Sequence, residues 1–254
     1  MIICCANQKG GVGKTTTVIT LGHGLAMRGY RVLLVDVDPQ GHIAIALGLK
    51  KAPGILRLLS YQDPLNILIQ EARPNLWILP SDSTTERAKR DLMSMDYRER
   101  VLKTALRDAD FDVILIDTAP SYDVLHVSAL VASRRLLIPT KLDSLAVDGV
   151  NEILRASATL RQYGDAPEAF SVLPTFFDRV TRETMLQLHD LVTHFAAQVW
   201  PPIPQDVRAR EAPAYGQTLW EYSPGSAAVT GYGNGDKVGG YASTLDRLEK
   251  MLNA

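Results

Sequence analysis

Ile2-Ile3-Cys4-Cys5-Ala6-Asn7-Gln8-Lys9-Gly10-Gly11-Val12-Gly13-Lys14-Thr15-Thr16 runs from an apolar strand through a glycine-rich turn into a helix. That order is the signature of a phosphate-binding loop. Backbone N–H groups of Gly10, Gly11, Val12 and Gly13 would converge on phosphate oxygens, and the helix N-terminus at Lys14, Thr15 and Thr16 adds partial positive charge. Lys14 would reach the β- and γ-phosphates and the Thr15 hydroxyl would ligate Mg²⁺. Gly10 and Gly13 are expected where a side chain would obstruct the phosphates or forbid the turn. The general pattern G-x-x-x-x-G-K-[ST] begins with glycine, but this chain has Gln8 there and an additional lysine, Lys9. Downstream, Thr15–Arg28 reads as a helix with Val18, Leu21, Leu25 and Ala26 on one face.

The rest of the chain supplies what such a loop needs. In 254 residues, apolar runs alternate with helical patterns, which predicts βαβ units and a twisted, mostly parallel sheet with helices on both faces. Expected strands are Ile2–Ala6, Arg31–Asp36, Leu76–Leu79, Val113–Asp117, Arg135–Pro139, Ala169–Thr175 and a short one near Val199–Ile203. Expected helices are Thr15–Arg28, Thr84–Asp108, Asp123–Ala132, Leu145–Tyr163, Arg182–Gln198 and a C-terminal segment ending in Leu245–Leu252. No linker or composition shift divides the chain, so one α/β domain over 1–254 is expected, starting at its first strand. Gly231–Gly240 reads as a mobile glycine-rich loop that neither helix nor strand would tolerate.

Composition narrows the function classes. A net charge of −1 gives no global support for nucleic-acid binding, so any such site must be a local patch. The only two cysteines, Cys4 and Cys5, are neighbours on a strand and point to opposite faces, which disfavours a disulfide or a metal pair. A reduced, cytoplasmic protein is expected. No run of about 18 apolar residues offers a membrane span.

Two carboxylate sites complete the phosphate chemistry. Val113-Ile114-Leu115-Ile116-Asp117 is an apolar strand ending in an acid. Ligands of open parallel sheets bind outside the strands' carboxyl ends, so Asp117 should emerge beside the loop and hold Mg²⁺ through a water. Val32-Leu33-Leu34-Val35-Asp36-Val37-Asp38-Pro39-Gln40 should lie beside the first strand or one strand away, with Asp36 and Asp38 on one side. Asp36 would support the Mg²⁺ shell and Asp38 would orient the attacking water, the main task when catalysis is positioning plus charge.

Taken together, K-G-G-V-G-K-T-T, V-D-V-D-P-Q-G and I-D-T-A-P-S resemble the deviant Walker A ATPases, and most closely their ParA (Soj-like) partition branch within the MinD/ParA superfamily. The resemblance extends to Leu137–Thr140, Leu173–Asp178 and Ile203–Pro213, and covers Met1 to about Ser226. It implies a single-domain P-loop NTPase that hydrolyses ATP with Mg²⁺, slowly and under partner stimulation. It implies that Lys9 crosses a homodimer interface to the partner's nucleotide, acting like an arginine finger in trans. Thr175 and Pro204 match positions that border the adenine. Arg208 matches a residue associated with non-specific DNA binding, and Arg210 adds a second positive charge where relatives often carry a small polar residue. A salt bridge from Arg210 to Glu211 or another surface acid is the alternative use of that charge.

The implied function is a nucleoid-associated ATPase that segregates a plasmid or chromosome with a ParB-type partner, or positions another cargo through its own adaptor. Two departures stand out. His42 sits where relatives commonly have asparagine, and the glycine-rich loop interrupts the stretch before the last helix, so the resemblance does not carry a DNA-binding role onto Lys237, Arg247 or Lys250. A MinD-like membrane ATPase would need a basic amphipathic C-terminal helix. The segment Ser243–Leu252 has balanced charges and no aromatic residue, so packing on its own domain is expected and no membrane contact. An iron–sulfur reductase of the nitrogenase iron-protein type needs cysteines beyond the first strand, and there are none.

Overall fold

The computed structural model describes residues 1–161, 165–233 and 238–253. Seven strands form one sheet: β1 (Ile2–Cys5), β2 (Val32–Asp36), β3 (Gln70–Arg73), β4 (Leu76–Leu79), β5 (Val113–Asp117), β6 (Arg135–Lys141) and β7 (Ala169–Thr175). Their spatial order is β3-β4-β2-β5-β1-β6-β7. Every pairing is parallel except β3 with β4. The expected doubly covered α/β domain is therefore present.

The helices are α1 (Lys14–Met27), α2 (His42–Ala46), α3 (Gly54–Leu59), α4 (Thr85–Met93), α5 (Val101–Ala105), α6 (Val124–Ala132), α7 (Ala146–Arg161), α8 (Arg182–Phe195), α9 (Arg208–Glu211), α10 (Leu219–Tyr222), α11 (Ala227–Thr230) and α12 (Gly240–Leu252). Strand alternation divides the core in two. Cys4, Leu33, Val35, Ile114, Ile116 and Ile138 face α3 to α8. Cys5, Val32, Leu34, Val113, Leu115 and Leu137 face α1, α2 and α10 to α12. A sheet covered on both sides has no solvated face, which is why its central strands read as continuous apolar runs. The adjacent cysteines are both buried and free, one in each half of the core.

Several expected elements differ. The stretch Thr84–Asp108 is not one helix. Leu92 and Leu102 are both fully buried, and a ten-residue separation is not a whole number of 3.6-residue turns. The chain breaks at Tyr97, which has φ 53°, and a 3₁₀ turn at Arg98–Arg100 restarts it. The strand near Val199–Ile203 contributes only isolated bridges, Val172 with Val199 and Phe177 with Pro204. Strand β3 and helices α2 and α3 were not anticipated; β3 is a polar edge strand with no fully buried residue.

The glycine-rich stretch also differs at its ends. Tyr232 and Val238 form an antiparallel bridge, and Gly240 belongs to α12. Gly239 has φ 82°, and a Cβ there would meet the Pro202 carbonyl at 2.1 Å, so only glycine fits. Residues 234–237, including Lys237, lie outside the described residues. Helix α12 packs on α1: Tyr241, Leu245 and Leu248 are buried, the Tyr241 and Thr17 hydroxyls meet at 3.0 Å, and Arg28 pairs with Asp246 and Glu249. Its apolar stripe is thus consumed inside the fold, as expected. Among the described residues no helix is long and apolar enough to cross a membrane.

Candidate nucleotide-binding site

The chain leaves β1 toward β2 on one side and reaches β6 on the other, so the sheet order reverses between β5 and β1. That switch point is where a crevice opens at the carboxyl ends of the strands. The loop after β1 and the end of β5 meet there, since Cys5 is in register with Asp117. The cleft is about 710 Å³, and its lining includes Gly10–Thr16, Asp38, Thr118–Ser121, Phe176 and Arg210.

The loop itself is held from behind. The left-handed residues are Gly11 (φ 70°) and Gly13 (φ 90°), with Gly13 at the N-cap of α1. Gly10 needs no such conformation, and a Cβ there would touch nothing within 4 Å. Turn geometry therefore demands glycine at positions 11 and 13, while Gly10 keeps open the space that a phosphate would occupy. Asn7, which the sequence reading passed over, is the bracket: its Nδ2 donates to the Pro139 carbonyl at 2.9 Å, and its Oδ1 accepts from the Lys9 N–H at 2.9 Å. Lys14 is buried, and its Nζ donates to the Asn7 and Lys9 carbonyls at 2.9 and 3.2 Å. Burial pulls the Lys14 pKa down, while Asp117, Cys5 and Asp38 oppose the shift.

The acids divide by exposure. Asp117 is 1% exposed, and its Oδ2 accepts from the Thr15 hydroxyl at 2.6 Å. Its Oδ1 is buried with no hydrogen-bond partner among the described residues. Burial raises the Asp117 pKa, against the opposing pull of Thr15 and Lys14. An orphaned carboxylate oxygen beside a threonine hydroxyl at a helix N-terminus is a donor set that fits a hard divalent cation. Asp36 is in register with Asp117 on the neighbouring strand β2, so of the two expected placements, beside β1 or one strand away, the second is found. Both Asp36 oxygens are already engaged, by the backbone N–H groups of Asp38 (3.0 Å) and Ile43 (3.1 Å). Burial and the nearby Asp117 hold its pKa well above the usual carboxylate range. Asp36 thereby fixes the strand exit that carries Asp38, whose carboxylate accepts from the Gln40 N–H at 2.9 Å at the cleft edge.

Other expected residues fall farther from the cleft surface. The Thr175 hydroxyl donates to the Val12 carbonyl at 3.0 Å, tying β7 to the loop from beneath. Pro204 is buried and bridges to Phe177. Neither lines the cleft, whereas Phe176, with φ 56°, does. Lys9 turns away from its own loop, and its Nζ pairs with Asp143 at 2.5 Å. Arg208 caps back onto Asp206 at 3.3 Å, whereas Arg210 lines the cleft. His126 lies under the loop that follows β5, 1% exposed, with both ring nitrogens unpartnered among the described residues and its ring tilted against Tyr122 at 5.4 Å.

Comparison with known proteins agrees with this geometry. Residues 1–166 match the AAA domain family model AAA_31. The chromosome-partitioning ATPase Soj of Thermus thermophilus is 36% identical over 233 residues, covering 91% of each chain. The chromosome partitioning protein ParA of Caulobacter vibrioides is 31% identical over 241 residues, covering 91% of this chain and 90% of the relative. Among solved structures, apo McdA of Cyanothece superposes with TM-score 0.81 at 25% identity, covering 88% of this chain and 93% of the other. Cobyrinic acid a,c-diamide synthase of Mycobacterium smegmatis, with bound ATP analogue and magnesium, gives TM-score 0.75 at 33% identity, covering 85% and 92%. The ATP analogue and magnesium of that structure are consistent with ATP and Mg²⁺ as the cofactors of this cleft. The chain belongs to the AAA-domain family and, within it, to the Soj/ParA partition ATPases.

Proposed function

We propose that the protein is an ATP-dependent dimerising ATPase that binds DNA without regard to sequence and segregates or positions a cargo through a ParB-type or other adaptor protein. The single observation that carries this reading is the placement of Lys9. Its Nζ lies on the rim, paired with Asp143, and the residue does not line its own cleft. A lysine held outside its own cleft could leave Asp143 to serve the phosphates of a second copy, where it would neutralise charge developing in the transition state.

Within each subunit, Gly10–Gly13 would cradle the phosphates, Lys14 would leave its carbonyl partners for the β- and γ-oxygens, and Asp38 would orient water. Thr15 and Asp117 would hold Mg²⁺, which would supply neutralisation of phosphate charge, and Asp36 would support this shell through the loop it fixes. Thr175 and Pro204 would shape the adenine end from behind the loop. Hydrolysis would be slow until the adaptor engages. Arg208, exposed on α9, would contribute to DNA contact, and the protein would act in the cytoplasm on the nucleoid.

The test is binding to random-sequence duplex DNA with ATP or ADP across a salt series, for wild type, Lys14→Ala and Arg208→Ala. Contact through phosphates releases counterions, so affinity should fall steeply with salt. Binding that ignores the nucleotide, or persists unchanged in Arg208→Ala, would contradict the reading.

A further inference from the structure

We infer that Arg210 is a nucleotide ligand, the cation for the α-phosphate end of the cleft, and not a companion of Arg208 on DNA. The inference rests on the cleft being the nucleotide site. Helix α9 and the residues after it are seated on the first turn of α1: Ala209, Ala212 and Pro213 share a small cavity wall with Thr15, Thr16 and Ile19. This seat fixes where the side chains of α9 can point. Positions two apart on a helix do not face each other, so Arg208 and Arg210 leave α9 on different sides. Arg208 turns back to Asp206, and Arg210 enters the lining of the cleft beside Gly10–Thr16 and Asp38.

Charge accounting in the cleft singles out the same residue. Three cations line it: Lys14, Lys89 and Arg210. Lys14 is bonded to two loop carbonyls and is the one placed for the β- and γ-phosphates. Lys89 is committed to Asp123 at 2.8 Å and Glu86 at 3.0 Å. Arg210 has no ion pair among the described residues. The neighbouring Glu211, its alternative partner, accepts from the Tyr222 hydroxyl instead, at 3.2 Å. Glu86 is offset by Lys89, whereas Asp38 has no ion pair among the described residues, so an incoming nucleotide meets a carboxylate that the uncommitted guanidinium can offset. A guanidinium offers a planar fork that matches two phosphate oxygens, a geometry an ammonium lacks. The α-phosphate, cradled by backbone N–H groups of the loop, is the part of the nucleotide to which Lys14 and Mg²⁺ bring no charge.

The test measures Mg²⁺-nucleotide affinity by calorimetry on the full chain, for wild type, Arg210→Ala, Arg210→Lys, Lys14→Ala and Arg107→Ala. Arg107 is an exposed cation outside the cleft, so it reports the effect of charge loss alone. Arg210→Ala should weaken ADP and ATP by the same factor, about tenfold, with Arg210→Lys recovering part of the loss and Arg107→Ala none the weaker. Unchanged ADP affinity in Arg210→Ala overturns the assignment, as does a loss confined to ATP, which would place the contact at the γ-phosphate. Lost DNA affinity at saturating ATP with intact ADP binding returns Arg210 to the DNA surface and also overturns it. Lys14→Ala separates the two levels: if it binds ADP like wild type, the cleft itself is misread.

Discussion

Lys9 and Asp143, 134 residues apart in the chain, form an ion pair of 2.5 Å at the rim of the phosphate loop. Asp143 lies just past the end of β6, the strand to which Asn7 anchors the loop through the Pro139 carbonyl. If Lys9 serves a partner subunit's nucleotide, as proposed, it must first leave this carboxylate. The pair is partly exposed, with side-chain accessibilities of 35% and 23%, and such pairs are worth about 0–1 kcal/mol. It is therefore a weak latch. Asp143→Ala should tighten the dimer formed with a non-hydrolysable ATP analogue by about fivefold, and Lys9→Ala should abolish that dimer while keeping nucleotide affinity. Sedimentation velocity distinguishes these outcomes; a weaker dimer in Asp143→Ala would contradict the latch.

Asp38 is set at the cleft edge by a chain of backbone bonds that begins at Asp36. Removing the Asp38 carboxylate leaves that chain and the loop bracket intact. Asp38→Ala should bind ATP within a few-fold of wild type yet hydrolyse it at least about a hundredfold more slowly, so that the ATP state accumulates on DNA. Single-turnover hydrolysis beside equilibrium binding measures both. Failure of Asp38→Ala to bind ATP would reassign the water-orienting role.

Much of this was legible in the sequence because buried parallel strands are continuous apolar runs. Strands β1, β2, β5 and β7 fall within one or two residues of the expected bounds, and β6 runs to Lys141, two residues beyond its expected end. Their acid ends, Asp36 and Asp117, follow from the same runs. Strand β3 was not legible because an antiparallel edge strand of Gln70–Arg73 carries no apolar period. The role of Asn7, the Lys9–Asp143 pair and the entry of Arg210 into the cleft were hidden for another reason. Each depends on contacts between segments distant in the chain, which no local pattern encodes. Thr175 shows the converse: its motif position was readable, but its hydroxyl is spent on the Val12 carbonyl.

His126 predicts a pH dependence of stability. Its pKa is lowered to about 4, chiefly by burial, with Asp123 opposing and Lys14 adding to the shift. An unfolded chain titrates histidine near 6.5, so between about pH 6.5 and 4 the unfolded state binds more protons. The contribution of the neutral ring is fully present above pH 6.5 and is lost progressively as pH falls toward 4, at most about 3 kcal/mol. His126→Gln has no such titration. Urea unfolding at pH 7.5, 5.5 and 4.5 should show wild type losing stability relative to the variant on acidification; parallel curves would rule this out.

The last helix is where the partition reading and a membrane reading diverge most cheaply. Leu245 is 2% exposed against α1, and Tyr241 reaches the Thr17 hydroxyl on the same helix. If α12 is a structural element, Leu245→Ala opens a cavity beside the phosphate-loop helix and should cost about 2–5 kcal/mol, with a matching fall in Tm. A helix reserved for lipid would behave otherwise: its apolar residues would contribute little to stability, and their loss would show as lost sedimentation with anionic liposomes in ATP. Wild type should not sediment with such liposomes, because exposing the stripe of α12 would strip the core on that face of the sheet of Tyr241, Leu245 and Leu248 together.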